Sequence, residues 1–229
     1  IEAASFKVLS GTTIEAVLAA GASGALSVTN PGGTGDLKGF TFIPLPAISS
    51  VDPILGGKGA EINIYGSNFL TTHTVSIGNK AVTSFKVLSA THITAYVAEG
   101  AVDGKIIVST LGGSGSFDGF RFIFPPTIST FLPRDAIAGV SVLISGTNLG
   151  DVQGVSFGGK AAASFSILSP TSISAVVAPG SASGNISLTS PGGQAMKEGF
   201  TYIYTLPTNN FSVSATGLSC RGSMNGIIS

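Results

Sequence analysis

Short runs of alternating apolar and polar residues fill most of the chain, each broken by a glycine or by a Ser, Thr or Asn turn. The clearest is Ser84-Phe85-Lys86-Val87-Leu88-Ser89, in which Phe85 and Val87 fall on one face. Ile93, Ala95 and Val97 follow, then Ile106 and Val108, then Phe120 and Phe122. Alternation with period two over four to eight residues predicts half-buried β-strands. The same series stands earlier at Phe6, Val8, Ile14, Ala16, Leu18, Leu26, Val28, Phe40 and Phe42. It returns at Phe165, Ile167, Ile173, Ala175, Val177, Ile186, Leu188, Phe200 and Tyr202. Phe6, Phe85 and Phe165 lie 79 and 80 residues apart, and the turn residues keep the same spacing. Gly24, Gly104 and Gly184 recur, as do Gly32-Gly33, Gly112-Gly113 and Gly192-Gly193. Self-similarity at a fixed period marks a repeat architecture.

The period divides the chain into residues 1–43, the second half of one unit; 44–124 and 125–206, two full units; and 207–229, which leave the register. Each full unit opens on a proline-bearing strand (Ile48 and Pro53; Ile128 and Pro133). Proline there predicts an edge strand or a bulge. Ile62, Ile64, Val75 and Ile77 in one unit match Val142, Ile144, Val155 and Phe157 in the other. About seven short strands per unit, and no sustained helical period, predict an all-β antiparallel sandwich with two inward-facing apolar rows. Ile64 and Ile144, Ile93 and Ile173, and Phe120 and Phe200 are the expected equivalent core residues. The joints Ile43-Pro44-Leu45-Pro46 and Phe124-Pro125-Pro126 are short, and proline restricts them. They predict a stiff series of beads. Residues 1–43 lack the opening strands. They are expected to show an apolar face and open strand edges unless a preceding segment of the same chain, or a strand added from another, completes them. In the tail Phe211, Val213 and Ala215 alternate, suggesting the start of a different β module.

Composition narrows the function. Charged residues are 10% of the chain and apolar residues 43%, with 32 glycines. The charged share is well under the usual one of about 25%. The formal net charge is zero, so the basic footprint of a nucleic-acid binder is missing. The longest apolar runs are too short to span a membrane. The single cysteine, Cys220, excludes an internal disulfide framework.

Four landmarks occur in both full units. They are Gly66-Ser67-Asn68-Phe69 and Gly146-Thr147-Asn148-Leu149; Gly78-Asn79-Lys80-Ala81 and Gly158-Gly159-Lys160-Ala161; the Gly-Gly step; and the closing Gly119-Phe120-Arg121-Phe122 and Gly199-Phe200-Thr201-Tyr202. On these residues the chain resembles the IPT/TIG family over about residues 1–206. Leu111 departs from the pattern where the other copies carry Pro31 and Pro191. The resemblance implies tandem immunoglobulin-like β-sandwiches, as in large bacterial surface proteins. The tail Ser219-Cys220-Arg221-Gly222-Ser223-Met224-Asn225-Gly226-Ile227 is similar to the opening of SprB-type repeats in secreted adhesins.

No set of residues with catalytic spacing emerges, and no enzyme, cofactor or metal centre is expected. His73 and His92 are replaced by Gln153 and Ser172 in the next unit and read as loop surface. Zinc needs three or four convergent ligands. The scattered carboxylates lack calcium-loop spacing, and Asp103-Gly104 and Asp118-Gly119 read as turns. Cys220 has no histidine beside it to activate it. Gly32-Gly33 only superficially resembles a phosphate loop, because no Gly-Lys-Ser/Thr follows; positive φ between two strands is the better account. Tyr65, Phe69 and Phe131 have no aromatic counterpart in the other full unit and are the candidate exposed contact residues.

The sequence thus predicts a structural or adhesive stalk segment of a long extracellular or cell-surface protein, spacing and presenting other modules. Its expected partners are neighbouring domains of the same chain, with other surface proteins or glycans as further candidates, and neither nucleic acid nor direct membrane insertion. The second reading is a glycan-binding or accessory spacer module of a surface carbohydrate-processing protein; the absence of tryptophan counts against it.

Overall fold

The computed structural model describes residues 1–19, 21 and 23–205. The chain forms two compact units, the first comprising Ile1–Pro125 with Ser190–Gln194 and the second Pro126–Thr189 with the described residues from Ala195. Apart from one 3-10 turn at Leu149–Asp151, every regular element among the described residues is a strand. Residues 1–43 supply two hairpins, β1 (Ser5–Ser10) with β2 (Thr13–Val17) and β3 (Gly24–Asn30) with β4 (Gly33–Phe40).

The first full domain runs through β5 (Ala47–Asp52), β6 (Leu55–Gly56), β7 (Glu61–Ser67), β8 (Thr72–Ile77), β9 (Lys80–Ala81), β10 (Ser84–Ser89), β11 (His92–Tyr96), β12 (Gly104–Thr110) and β13 (Gly113–Phe122). One sheet has the order β10-β11-β7-β5 and the other β6-β13-β12-β8-β9. The second full domain repeats this with β14 (Thr127–Leu132), β15 (Asp135–Ala136), β16 (Ser141–Thr147), β17 (Gly154–Phe157), β18 (Lys160–Ala161), β19 (Ser164–Ser169), β20 (Ser172–Val176), β21 (Gly184–Ser190) and β22 (Gly193–Tyr202). Its sheets are β14-β16-β20-β19 and β15-β22-β21-β17-β18.

Each domain therefore has more strand segments than the seven expected, for two reasons. The opening strand divides at its proline. Before Pro53, β5 pairs antiparallel with β7; after it, β6 pairs parallel with β13 in the other sheet. Proline has no N–H for a ladder, so the break falls where the chain changes sheets. The Gly78-Asn79 turn, with φ of 53° and 65°, also carries the chain back far enough for β9 to pair with β8.

The core lies between the two sheets. Ile62, Ile64, Ile93 and Ala95 from one meet Val75, Ile77, Ile106, Val108 and Phe120 from the other. Both members of each expected pair are buried: Ile64 and Ile144, Ile93 and Ile173, Phe120 and Phe200. Residues 1–43 are the contrast. Ile14, Leu26 and Val28 are 41%, 44% and 44% exposed, whereas their equivalents Ile93, Ile106 and Val108 are 0% exposed. In the full domain β11 pairs with β7 and β12 with β8. Among the described residues, 1–43 supply equivalents of β10 to β13 and none of β7 or β8.

Repeated polar details follow from local chemistry. The hydroxyls of Ser10, Ser89 and Ser169 each accept a hydrogen bond from the N–H two residues on, at Thr12, Thr91 and Thr171. This closes the turn between paired strands. Gly66 and Gly146 lie where a Cβ would strike the carbonyl of Ala47 or Thr127 on the neighbouring strand. Asn68 and Asn148 then take left-handed φ values of 63° and 57°, which asparagine tolerates. That reversal sends Phe69 and Leu149 into the core.

Two outcomes follow. Gly66→Ala destabilises the first full domain by about 1–3 kcal/mol through overpacking, whereas Gly59→Ala, which meets nothing within 4 Å, is penalised only for its positive φ; chemical denaturation compares them. In hydrogen exchange on the whole chain, amides of β11 and β12 are protected far longer than those of β2 and β3, because only the former lie in complete sandwiches.

Candidate functional site

Groups that could do chemistry are sparse. Among the described residues no cluster of three His, Cys, Asp or Glu side chains could hold a metal ion. Asp103 is structural. Its Oδ1 accepts from the Phe122 N–H at 2.7 Å, as the Ser23 and Ser183 hydroxyls accept from Phe42 and Tyr202. Asp118 forms an exposed ion pair with Lys105 at 3.4 Å. A hollow lined by Gly24, Ala25, Lys38, Gly39, Phe40 and Thr41 offers one charged side chain, too few for acid–base catalysis. Gly33, Gly113 and Gly193 have φ values of 132°, 129° and 134°, a hairpin requirement unrelated to phosphate. Cys220 and the tail resembling SprB-type repeats lie outside the described residues.

Two of the three candidate contact residues are corrected. Phe69 is 0% exposed and Phe131 is 3% exposed, so neither can meet a partner. Phe69 is turned inward by Asn68. Phe131 lies three residues after Ile128, which in a regular strand would put it on the opposite face. A register shift between Ile128 and Thr130 turns it back to the core face. In both cases a larger apolar side chain occupies a position that is also buried in the sister domain, at Leu149 and Val51.

Tyr65 is different. It is 39% exposed and lies on the outward face of β7, because its neighbours Ile62 and Ile64 are turned into the core. Register brings His92 of β11 directly opposite it. The two rings stack with centroids 4.6 Å apart and planes 20° from parallel. The His92 reading as loop surface is therefore also corrected: it begins β11, stacks on Tyr65 and places Nε2 2.9 Å from Asn63 Oδ1. Thr94 Oγ1 donates to the same oxygen at 3.4 Å. One pair further along, the Tyr96 hydroxyl donates to Glu61 Oε2 at 2.9 Å. Three outward cross-strand pairs, Tyr65 with His92, Asn63 with Thr94 and Glu61 with Tyr96, thus form one polar and aromatic ladder.

The ladder belongs to one domain only. The equivalent pairs on β16 and β20 are Ser145 with Ser172, Leu143 with Ser174, and Ser141 with Val176. All six positions differ, while the inward residues between them keep their apolar character. The signal was present in the sequence as differences confined to alternate positions on strands with matching cores.

The Glu61 carboxylate raises the pKa of Tyr96 above the ordinary phenol value. Its hydrogen bond holds the neutral hydroxyl, and its charge opposes a second anion beside it. Glu61→Gln lowers the Tyr96 pKa toward the ordinary value in an NMR titration; an unchanged pKa would contradict the pairing.

The family model for the IPT/TIG domain matches residues 46–124 and 126–204. No curated protein matches the chain. Among solved structures, an SGBP-B from a complex xyloglucan utilization locus in Bacteroides uniformis is 23% identical with a TM-score of 0.33, over 69% of this chain and 50% of that one. A Bacteroides ovatus SGBP-B from a mixed-linkage glucan utilization locus, in complex with a mixed-linkage heptasaccharide, is 19% identical with a TM-score of 0.34, over 81% and 52%. The plexin A4 extracellular region is 18% identical with a TM-score of 0.45, over 70% and 16%. The chain spans about half the length of the two Bacteroides structures.

Proposed function

Since the chain belongs to the IPT/TIG domain family, we propose that it is a non-catalytic stalk segment of a longer cell-surface or secreted bacterial protein, spacing and presenting neighbouring modules. In this reading residues 1–43 are the later half of one more such domain. The observation that carries the proposal is the repeated core: two domains share strand order, register and buried residues at a fixed period. Repetition of one sandwich adds length without adding chemistry. Support also comes from the sparse titratable groups and from prolines at both joints, which restrict the backbone. No helix among the described residues is long and apolar enough to cross a membrane. Partners in this reading are the modules before and after the segment, and mechanism means reach and resistance to unfolding.

Antibody raised against the chain labels intact source cells or their medium, and labelling of lysed cells only would reject the proposal. Pulled from its ends, the chain gives two unfolding events of similar length. Each releases roughly 80 residues at about 3.5 Å per residue, less the folded extent.

A further inference from the structure

The ladder on the first full domain is not explained by a spacing role. A sheet face that only faces solvent needs no aromatic residues, and the equivalent face of the second domain does without them: Ser145 replaces Tyr65, Ser172 replaces His92 and Val176 replaces Tyr96. We infer that the outward face of the β10-β11-β7-β5 sheet is a binding site for a neutral saccharide chain, with Tyr65 and Tyr96 as its two aromatic contacts.

The chemistry of the face selects the ligand class. One side of the Tyr65 ring is covered by His92. The residue opposite on β5 is the small, exposed Ser50, so that strand sets no large side chain beside Tyr65, which is 39% exposed. A sugar ring presents a face of C–H groups, slightly positive, that packs on the negative face of an aromatic ring. Its rim of hydroxyls needs both donors and acceptors, and the ladder supplies them between the two tyrosines. Asn63 accepts from His92 and Thr94 through Oδ1, leaving the N–H donors of its amide. Glu61 holds Tyr96 through Oε2 and has a second carboxylate oxygen to accept from a hydroxyl. The contacts across β7 and β11 fix the side chains in advance, which reduces the entropy lost on binding.

Length and charge agree with a chain of uncharged sugars. The Tyr65 and Tyr96 rows are four residues apart along the strands, about 13 Å at 3.3 Å per residue, a span for several sugar rings. The face carries the carboxylates of Asp52 and Glu61 against the single ammonium of Lys86. The face therefore lacks the basic surface that nucleic acids need. The site stands independently of the stalk reading, since a spacer can carry it or lack it.

The test uses the full chain in affinity electrophoresis with three neutral polysaccharides, xyloglucan, mixed-linkage β-glucan and mannan, and with anionic polygalacturonate. Variants install the residues that the second domain already carries, so the fold accepts them: Tyr65→Ser and Tyr96→Val. A matching exchange on the second domain, Ser145→Ala, is the control. At least one neutral polysaccharide retards the wild type, each tyrosine variant weakens that retardation at least tenfold, and Ser145→Ala leaves it unchanged. Thermal melts confirm that the variants remain folded; a merely structural ladder would move the melt and not the binding. Retardation by polygalacturonate alone, by none of the four, or equally for wild type and both tyrosine variants overturns the inference. Surface labelling of cells, the test of the stalk reading, is unaffected by any of these results.

Discussion

Burial of apolar residues between two facing sheets is the constraint on which every described domain depends. Each sheet has one apolar face and would lose that stabilisation alone. The chain contains its own comparison. Ile93, Ile106 and Val108 are fully buried where β7 and β8 are present, while Ile14, Leu26 and Val28, in nearly the same sequence, are not. Identical local hairpins form in both settings, since Phe6 pairs with Ala16 as Phe85 pairs with Ala95. Hairpin pairing is therefore local, and burial is a property of the whole sandwich.

The repeated small residues serve that burial. Gly66 and Gly146 let the opening strand approach its neighbour, Asn68 and Asn148 reverse the chain, and Phe69 and Leu149 close the core beneath the turn. Pro53 and Pro133 mark where the opening strand leaves one sheet for the other. The landmarks that identify the family are thus positions where the backbone does something that few residues permit.

Outward positions are free of this constraint, and they are where the two full domains part. One face carries tyrosines, a histidine and hydrogen-bonding side chains; the other carries serines, a leucine and a valine. In a repeat protein a shared core with a changed face separates what folds the domain from what the domain can touch. Neither histidine is kept between the two full units. For His92 that difference marks a residue fixed by its neighbours rather than by the fold.

How much was legible follows from range. Period-two alternation, the 80-residue period, the turn residues and the paired core positions are local or repeated signals, so the all-β class and the equivalent buried residues could be read directly. Facing is decided by tertiary structure wherever the alternation is interrupted. The bulge after Ile128 turns Phe131 inward, and the left-handed Asn68 does the same to Phe69; one inserted or reversed residue inverts the parity on which the sequence reading relied. Tyr65 lies in uninterrupted alternation, and its outward position was readable. Its stacking on His92 was not, because 27 positions separate the two residues in the chain and only the register of β7 against β11 puts them side by side.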